Sequence, residues 1–169
     1  MRRIGIIAVL SLMALALAAV PALAQNPHFI KASGSVSATT GALTVSFKEA
    51  GLGDNQLIDY KLTADATVTY VCVNRGGANP SASNETTLSG PVTATGTFAS
   101  DKNRNVTASL TASPPGPGSF SCPPGQGTPQ LAQVSYTNIV LTDLTNNVST
   151  MVADTSSECL LPKVRGACD

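Results

Sequence analysis

The sequence is poor in the side chains that carry proton-transfer and metal chemistry. Its 169 residues include one His, no Trp, four Phe and three Tyr, and only 12% are charged. A Ser or Cys nucleophile needs a base, normally His, and zinc needs three or four converging His, Cys or carboxylate ligands. The only His, His28, is expected in a loose, solvated N-terminal segment outside the strands. We therefore expect no enzymatic activity, no cofactor and no metal.

The chain also lacks an excess of charge of either sign. Ten Lys and Arg residues balance ten Asp and Glu residues. Nucleic-acid-binding domains carry a basic patch and a strongly positive charge, because the phosphate backbone dominates their affinity. The balanced charge therefore argues against a nucleic-acid partner.

The N-terminal segment has the pattern of a secretory signal peptide. A short basic start, Met1-Arg2-Arg3, precedes an apolar stretch from residue 4 to residue 20, and the segment ends in Pro21-Ala22-Leu23-Ala24. This predicts cleavage after Ala24 and export to the cell envelope or the medium, with no membrane span after cleavage. A membrane anchor is the alternative, although roughly 17 apolar residues lie at the lower limit for a span.

All four Cys residues lie after the predicted cleavage site. An even number of Cys in an exported chain predicts two disulfides. Cys72 ends a predicted strand, Cys122 ends a short predicted strand at 119–121, and Cys159 and Cys168 lie close together near the C-terminus. The economical pairing is Cys72 with Cys122 and Cys159 with Cys168, but the sequence permits three connectivities.

Alternation of apolar and polar residues predicts an all-β fold. Residues 66–73 are apolar on both faces, which is typical of a central strand. One-sided alternation indicates further strands at 43–47, 58–62, 92–98, 106–110, 134–141 and 148–152. About seven or eight short strands separated by Gly, Pro and Asn turns predict an antiparallel β-sandwich with immunoglobulin-like Greek-key connections, with a barrel as the alternative. We place the sandwich domain at residues 25–155 and a disulfide-tied tail at 156–169.

The loops that follow Cys72 and Cys122 are the candidate recognition surface. If the two Cys residues face each other across two sheets and their strands run the same way, loops 74–83 and 123–130 share one end of the sandwich. Loops at one end of a sandwich commonly carry recognition. We select Asn74, Arg75, Asn79 and Gln126 as candidate contacts to a protein or cell-surface partner, Arg75 being the only cation in the two loops.

Three motifs also resemble those of a known group. The stretches YVCVNRGG at 70–77, NPSA at 79–82 and SFSCPPGQ at 119–126 resemble small exported bacterial proteins that carry one Cys in the first motif and one in the last. The resemblance extends from about Gly34 to Val152. It implies that Cys72 and Cys122 belong together, and it implies no activity, cofactor or ligand.

The leading functional hypothesis is a secreted, non-catalytic β-sandwich that acts as a binding, adhesion or structural module. One alternative is a carrier that encloses a small apolar ligand. The other is a hydrolase that uses carboxylates alone. A deep pocket lined by two carboxylates with a perturbed pKa would favour the hydrolase.

Overall fold

The structure, a computed structural model, describes residues 25–78, 84–157 and 159–168. The predicted signal peptide and Asn79 lie outside the described residues. The strands are β1 (His28–Val36), β2 (Leu43–Ala50), β3 (Leu57–Val71), β4 (Glu85–Ala99), β5 (Val106–Ala112), β6 (Gln130–Asp143), β7 (Val148–Val152) and β8 (Thr155–Ser156). No helix among the described residues is long and apolar enough to cross a membrane.

The strands form two antiparallel sheets. One has the order β1-β2-β5, and the other has the order β4-β3-β6-β7 with β8 also paired to β6. The chain crosses between the sheets after β2, after β4 and after β5. The sheets are not closed into a barrel, so the predicted β-sandwich is confirmed and the barrel alternative is wrong.

Strand β3 joins two segments that the alternation pattern separates. Segments 58–62 and 66–71 lie in one 15-residue strand because Ala64 and Ala66 continue the inward-facing row, whereas Cys72 and Val73 lie beyond the end of that strand. The prediction of a central strand is confirmed, since β3 pairs with β4 on one side and with β6 on the other.

Two local predictions are wrong. Residues 119–121 are not a strand; they lie in an irregular Pro-rich and Gly-rich segment between β5 and β6. His28 is not outside the strands, because it is the first residue of β1, where it is exposed and contacts the Asn26 carbonyl through Nδ1. A register shift between Phe29 and Lys31 interrupts the alternation of exposed and buried residues in β1. For this reason the alternation of apolar and polar residues in the sequence does not predict β1.

The core lies between the sheets, and its aromatic rings cluster at one end. Phe29, Phe47, Tyr60 and Phe98 pack with ring centroids 4.7 to 6.3 Å apart. Full burial of a Phe side chain contributes roughly 1.5–3 kcal/mol, which applies to Phe47, whereas Phe29 and Phe98 are only partly buried and contribute less. Fully buried Tyr136, toward the other end, donates a hydrogen bond of 2.7 Å to the Gly41 carbonyl.

A second, smaller cluster covers part of the outer face of the five-stranded sheet. Val71 and Ala132 on that face are buried against Ala167 in the C-terminal tail, with Leu161 and Val164 packed around them. The Leu160 amide donates to the Ala132 carbonyl at 2.9 Å. This packing explains why the end of β3 is apolar on both faces.

The two ends of the sandwich carry different features. We call the end where β3 finishes and β6 begins the disulfide end; among the described residues it carries 72–78, 113–129, 157 and 159–168. The opposite end carries the turns at 51–56, 100–105 and 144–147.

Candidate functional site

The disulfide end holds the predicted recognition loops together. Cys72 and Cys122 are bonded, with their Cα atoms 5.5 Å apart, and Cys72 is fully buried. Cys122 lies in the irregular segment rather than on a strand, so the expected bridge between two strands is wrong. The Gly127 amide donates to the Val73 carbonyl at 3.5 Å. The segments at 74–78 and 123–129 therefore lie side by side.

Two of the predicted contact residues build these loops. Asn74 Oδ1 accepts hydrogen bonds from the Gly76 and Ala78 amides at 2.8 and 3.1 Å, which fixes a tight Asx turn. Gln126 is half-buried, and its Oε1 atom is enclosed without a hydrogen-bond partner. Of the described candidates, only Arg75 is exposed at the loop surface.

The C-terminal tail adds cations that the sequence-based selection omits from this surface. Cys159 and Cys168 are bonded, and Arg165 forms an isolated parallel bridge with Ala78. Lys163 and Arg165 are both exposed. Three exposed cations thus occupy the disulfide end together with one exposed carboxylate among the described residues, Glu85 at the start of β4, although about 90 residues separate Arg75 from Arg165 in the sequence. Lys163 and Arg165 could have been predicted from the sequence only through their position inside the short Cys159–Cys168 loop.

A buried carboxyl cluster lies near the opposite end. Glu49 on β2 and Asp143 at the end of β6 are both fully buried and approach each other from different sheets. The Asp143 carboxylate accepts hydrogen bonds from the Thr145 amide at 2.8 Å, the Asn146 amide at 2.9 Å and the Asn146 side chain at 2.6 Å. Asp143 therefore shapes the β6–β7 turn.

The carboxylate of Glu49, unlike that of Asp143, has no hydrogen-bond partner. The Tyr60 hydroxyl is close enough to affect the pKa of Glu49, but the oxygens are not aligned as a hydrogen bond, and all three atoms lack a partner. The pKa of Glu49 is raised to about 7, mainly by burial and also by the neighbouring Asp143 carboxylate, whereas Tyr60 and His28 lower it. Burial and the adjacent Glu49 also raise the pKa of Tyr60.

The carboxyl groups of Glu49 and Asp143 have the chemistry of an acid–base pair, but a substrate cannot reach them. General acid–base catalysis needs the catalytic group within hydrogen-bond reach of a substrate proton. Glu49 and Asp143 are both 0% exposed. A depression of about 270 Å³ beside Tyr60 is lined by Asp59 and Leu144 and by neither buried carboxylate. The geometry therefore gives the hydrolase alternative no support.

The space between the sheets is filled by side chains. Tyr60, Tyr136, Leu62 and Leu141 are fully buried there. Depressions of about 400 and 370 Å³ lie on the outer faces of the sheets, where both polar and apolar residues line them. This packing gives the carrier alternative no support either.

Within residues 25–78, 84–157 and 159–168, no group of three or more His, Cys, Asp or Glu residues is placed to hold a metal ion. No protein-family model, curated protein or solved structure matches the chain. The functional conclusion therefore depends on the geometry of the disulfide end.

Proposed function

We propose that the chain is an exported, non-catalytic β-sandwich that acts as a binding or adhesion module, with the disulfide end contacting a protein or cell-surface partner. The observation that carries this proposal is the group of exposed cations Arg75, Lys163 and Arg165 on covalently tied segments. Export through the signal peptide at residues 1–24 and an immunoglobulin-like display of end loops belong to the same proposal.

Rigidity of the loops supports a binding role. Ordering a flexible loop at an interface costs free energy, so a loop that is already fixed loses less on association. The Cys72–Cys122 disulfide, the Asn74 turn and the tail packed on Val71 and Ala132 fix this end before any partner arrives.

The charges indicate the character of the partner. No ion pair joins Arg75, Lys163 or Arg165 to a carboxylate in the part of the chain that the structure describes. Unpaired surface cations attract an anionic partner and increase its association rate. We therefore infer a partner with an acidic contact surface.

The disulfides support the proposed location. Disulfide bonds form and persist in oxidising compartments such as the periplasm or the medium. Two disulfides and no free cysteine among the described residues are compatible with an extracellular chain.

Binding of the exported, oxidised protein to intact cells of its source organism tests the proposal. The variant R75Q/R165Q removes two cations from the disulfide end, and K61Q/K102Q removes two exposed cations elsewhere as the matched control. We expect R75Q/R165Q to lower the bound fraction at least about fivefold, because exposed charges at an interface increase the association rate and the variant lacks two of them. The control variant should bind as the wild type does. Equal binding by all three proteins, or no binding by the wild type, would refute the proposal.

A further inference from the structure

The outer face of the three-stranded sheet carries a regular array of polar side chains. Cross-strand pairing places nine residues in three rows. The rows are Lys31-Lys48-Thr107, Ser33-Ser46-Ser109 and Ser35-Thr44-Thr111. We call this array the cationic face. It consists of two ammonium groups and seven hydroxyls, and it includes no carboxylate, aromatic or aliphatic side chain.

The two lysines are placed at a cost to stability. Lys31 and Lys48 are direct cross-strand partners, and like charges in such positions destabilise a sheet. No ion pair joins either ammonium group to a carboxylate within the described residues. Positions where a sequence breaks a local rule without compensation are expected at functional sites. An anion bound at this row would remove the repulsion.

The hydroxyls lie beside the cations on the outer face of the sheet. A depression of about 370 Å³ is lined by the two lysines, by the hydroxyl residues Ser46, Thr107 and Ser109, and also by Phe47 and Ala108. The Thr44 and Thr111 hydroxyls are 2.9 Å apart and hydrogen-bond to each other in the row farthest from the lysines. With strands about 4.8 Å apart and rows about 6.6 Å apart, the face measures about 10 by 13 Å between its outermost Cα atoms.

We propose that the cationic face binds a segment of an acidic polysaccharide. Carboxylate or sulfate groups of the glycan contact the Lys31-Lys48-Thr107 row, and sugar hydroxyls bind the Ser and Thr rows. Charge complementarity carries the choice of an anionic occupant. The hydroxyls are both donors and acceptors, so they match the hydroxyl groups that a sugar chain presents.

Other anionic partners fit this face less well. Single-stranded nucleic acid is bound through aromatic stacking platforms in a basic groove, and none of the nine side chains is aromatic. A peripheral membrane contact inserts several apolar side chains into the headgroup region, whereas none of the nine is aliphatic or aromatic and the exposed Ile30 before Lys31 is a single apolar residue. These partners are therefore outcomes of the test rather than parts of the proposal.

Titration calorimetry with defined probes tests this site. The probes are an oligogalacturonate, a sulfated heparin oligosaccharide, a neutral dextran oligosaccharide, phosphatidylglycerol vesicles and oligothymidylate. We expect the wild type to bind both acidic oligosaccharides and none of the other three probes. The variant K31Q/K48Q should lose roughly tenfold in affinity, given about three- to fivefold for each partly exposed charge pair. The control K61Q/K102Q should bind as the wild type does.

Two further measurements identify the contacts that hold the glycan. Increasing NaCl from about 50 to 500 mM should weaken wild-type binding much more than K31Q/K48Q binding, because screening acts on the charge contacts. The variant S46A/S109A should lose affinity at both salt concentrations. The variant R75Q/R165Q should keep its affinity, which keeps this test independent of the proposed function at the disulfide end.

Several results would overturn the proposal. They are equal losses in K31Q/K48Q and K61Q/K102Q, dextran binding as tight as that of the acidic probes, and loss of binding in R75Q/R165Q. Preferential binding of vesicles or oligothymidylate would replace the polysaccharide with another class of partner. Because removal of a repulsive pair should not unfold the sheet, a native circular dichroism spectrum of K31Q/K48Q is expected.

Discussion

The buried Glu49 should make the stability of the fold depend on pH, and Glu49→Gln should remove that dependence. In the unfolded chain the carboxyl group titrates near its ordinary pKa of 4.5, whereas burial raises the pKa to about 7 in the folded protein. At about 1.36 kcal/mol per pH unit, this interval corresponds to about 3 kcal/mol of unfolding free energy.

The sign follows from which state holds the proton. Between pH 4.5 and about 7, the folded state keeps the Glu49 proton that the unfolded state has released. Stability therefore falls as pH rises through this range and levels off above about pH 8. In E49Q the neutral amide at this position adds no charge beside the Asp143 carboxylate at any pH. The variant should match the wild type at pH 5 and exceed it by up to about 3 kcal/mol at pH 8.

Urea unfolding followed by circular dichroism at pH 5, 6, 7 and 8 measures this effect. Between pH 5 and pH 8 the wild type should lose about 2.5 kcal/mol, and with a denaturant slope of about 2 kcal/mol/M its midpoint should fall by about 1.2 M. The E49Q midpoint should stay nearly constant. Both proteins should carry His28→Asn, because His28 interacts with Glu49 and lowers its pKa.

A matched substitution makes the comparison specific. Glu85→Gln changes an exposed carboxylate at the start of β4 and should retain the wild-type slope. The reasoning fails if E49Q retains the slope of the wild type, or if E85Q removes it.

Three further predictions concern packing and covalent structure. Replacing both Cys72 and Cys122 with Ala should lower the free energy of unfolding by about 4 kcal/mol, and replacing both Cys159 and Cys168 should lower it by about 2.5 kcal/mol. The first loss is larger because the closed loops span 50 and 9 residues. Equal losses in urea unfolding would contradict the chain-entropy account. Gly41→Ala should destabilise by about 2 kcal/mol, because Gly41 has φ +69° and the new Cβ would lie 2.7 Å from a Leu131 methyl group; an unchanged melting temperature would exclude this clash. Tyr136→Phe should cost about 1–2 kcal/mol by leaving the Gly41 carbonyl without its buried donor; if it costs nothing, that hydrogen bond contributes no net stability.

The strand pattern is predictable where one face of a strand is buried and the other is solvated. Segments 43–47 and 148–152 alternate cleanly, and each lies within a strand of the structure. Strand β1 escapes prediction because the bulge near Ile30 shifts its register and because its small residues give little hydrophobic contrast. At residues 119–121 the opposite error occurs, because the sequence predicts a strand that the structure does not contain. Three alternating residues do not form a strand when Pro and Gly surround them.

The candidate site is predictable only in part. Cys spacing favours the disulfides that place the 74–78 and 123–129 segments together. Asn74 is predicted as a contact, but its side chain forms the turn, because an Asn two residues before Gly76 supplies an acceptor to the following amides. Arg165 is absent from the predicted contacts, because only packing of the tail on the sheet places it beside Ala78.

The amino-acid sequence alone determined the all-strand architecture, because the alternation of apolar and polar residues is a local property of each strand. The even number of cysteines likewise predicted two disulfides without any knowledge of the fold. The tertiary structure alone decided which distant groups meet. Glu49 and Asp143 come together because two sheets stack, and Lys31 faces Lys48 because the register of β1 on β2 aligns them. Such pairings depend on register and sheet packing, which couple residues far apart in the chain.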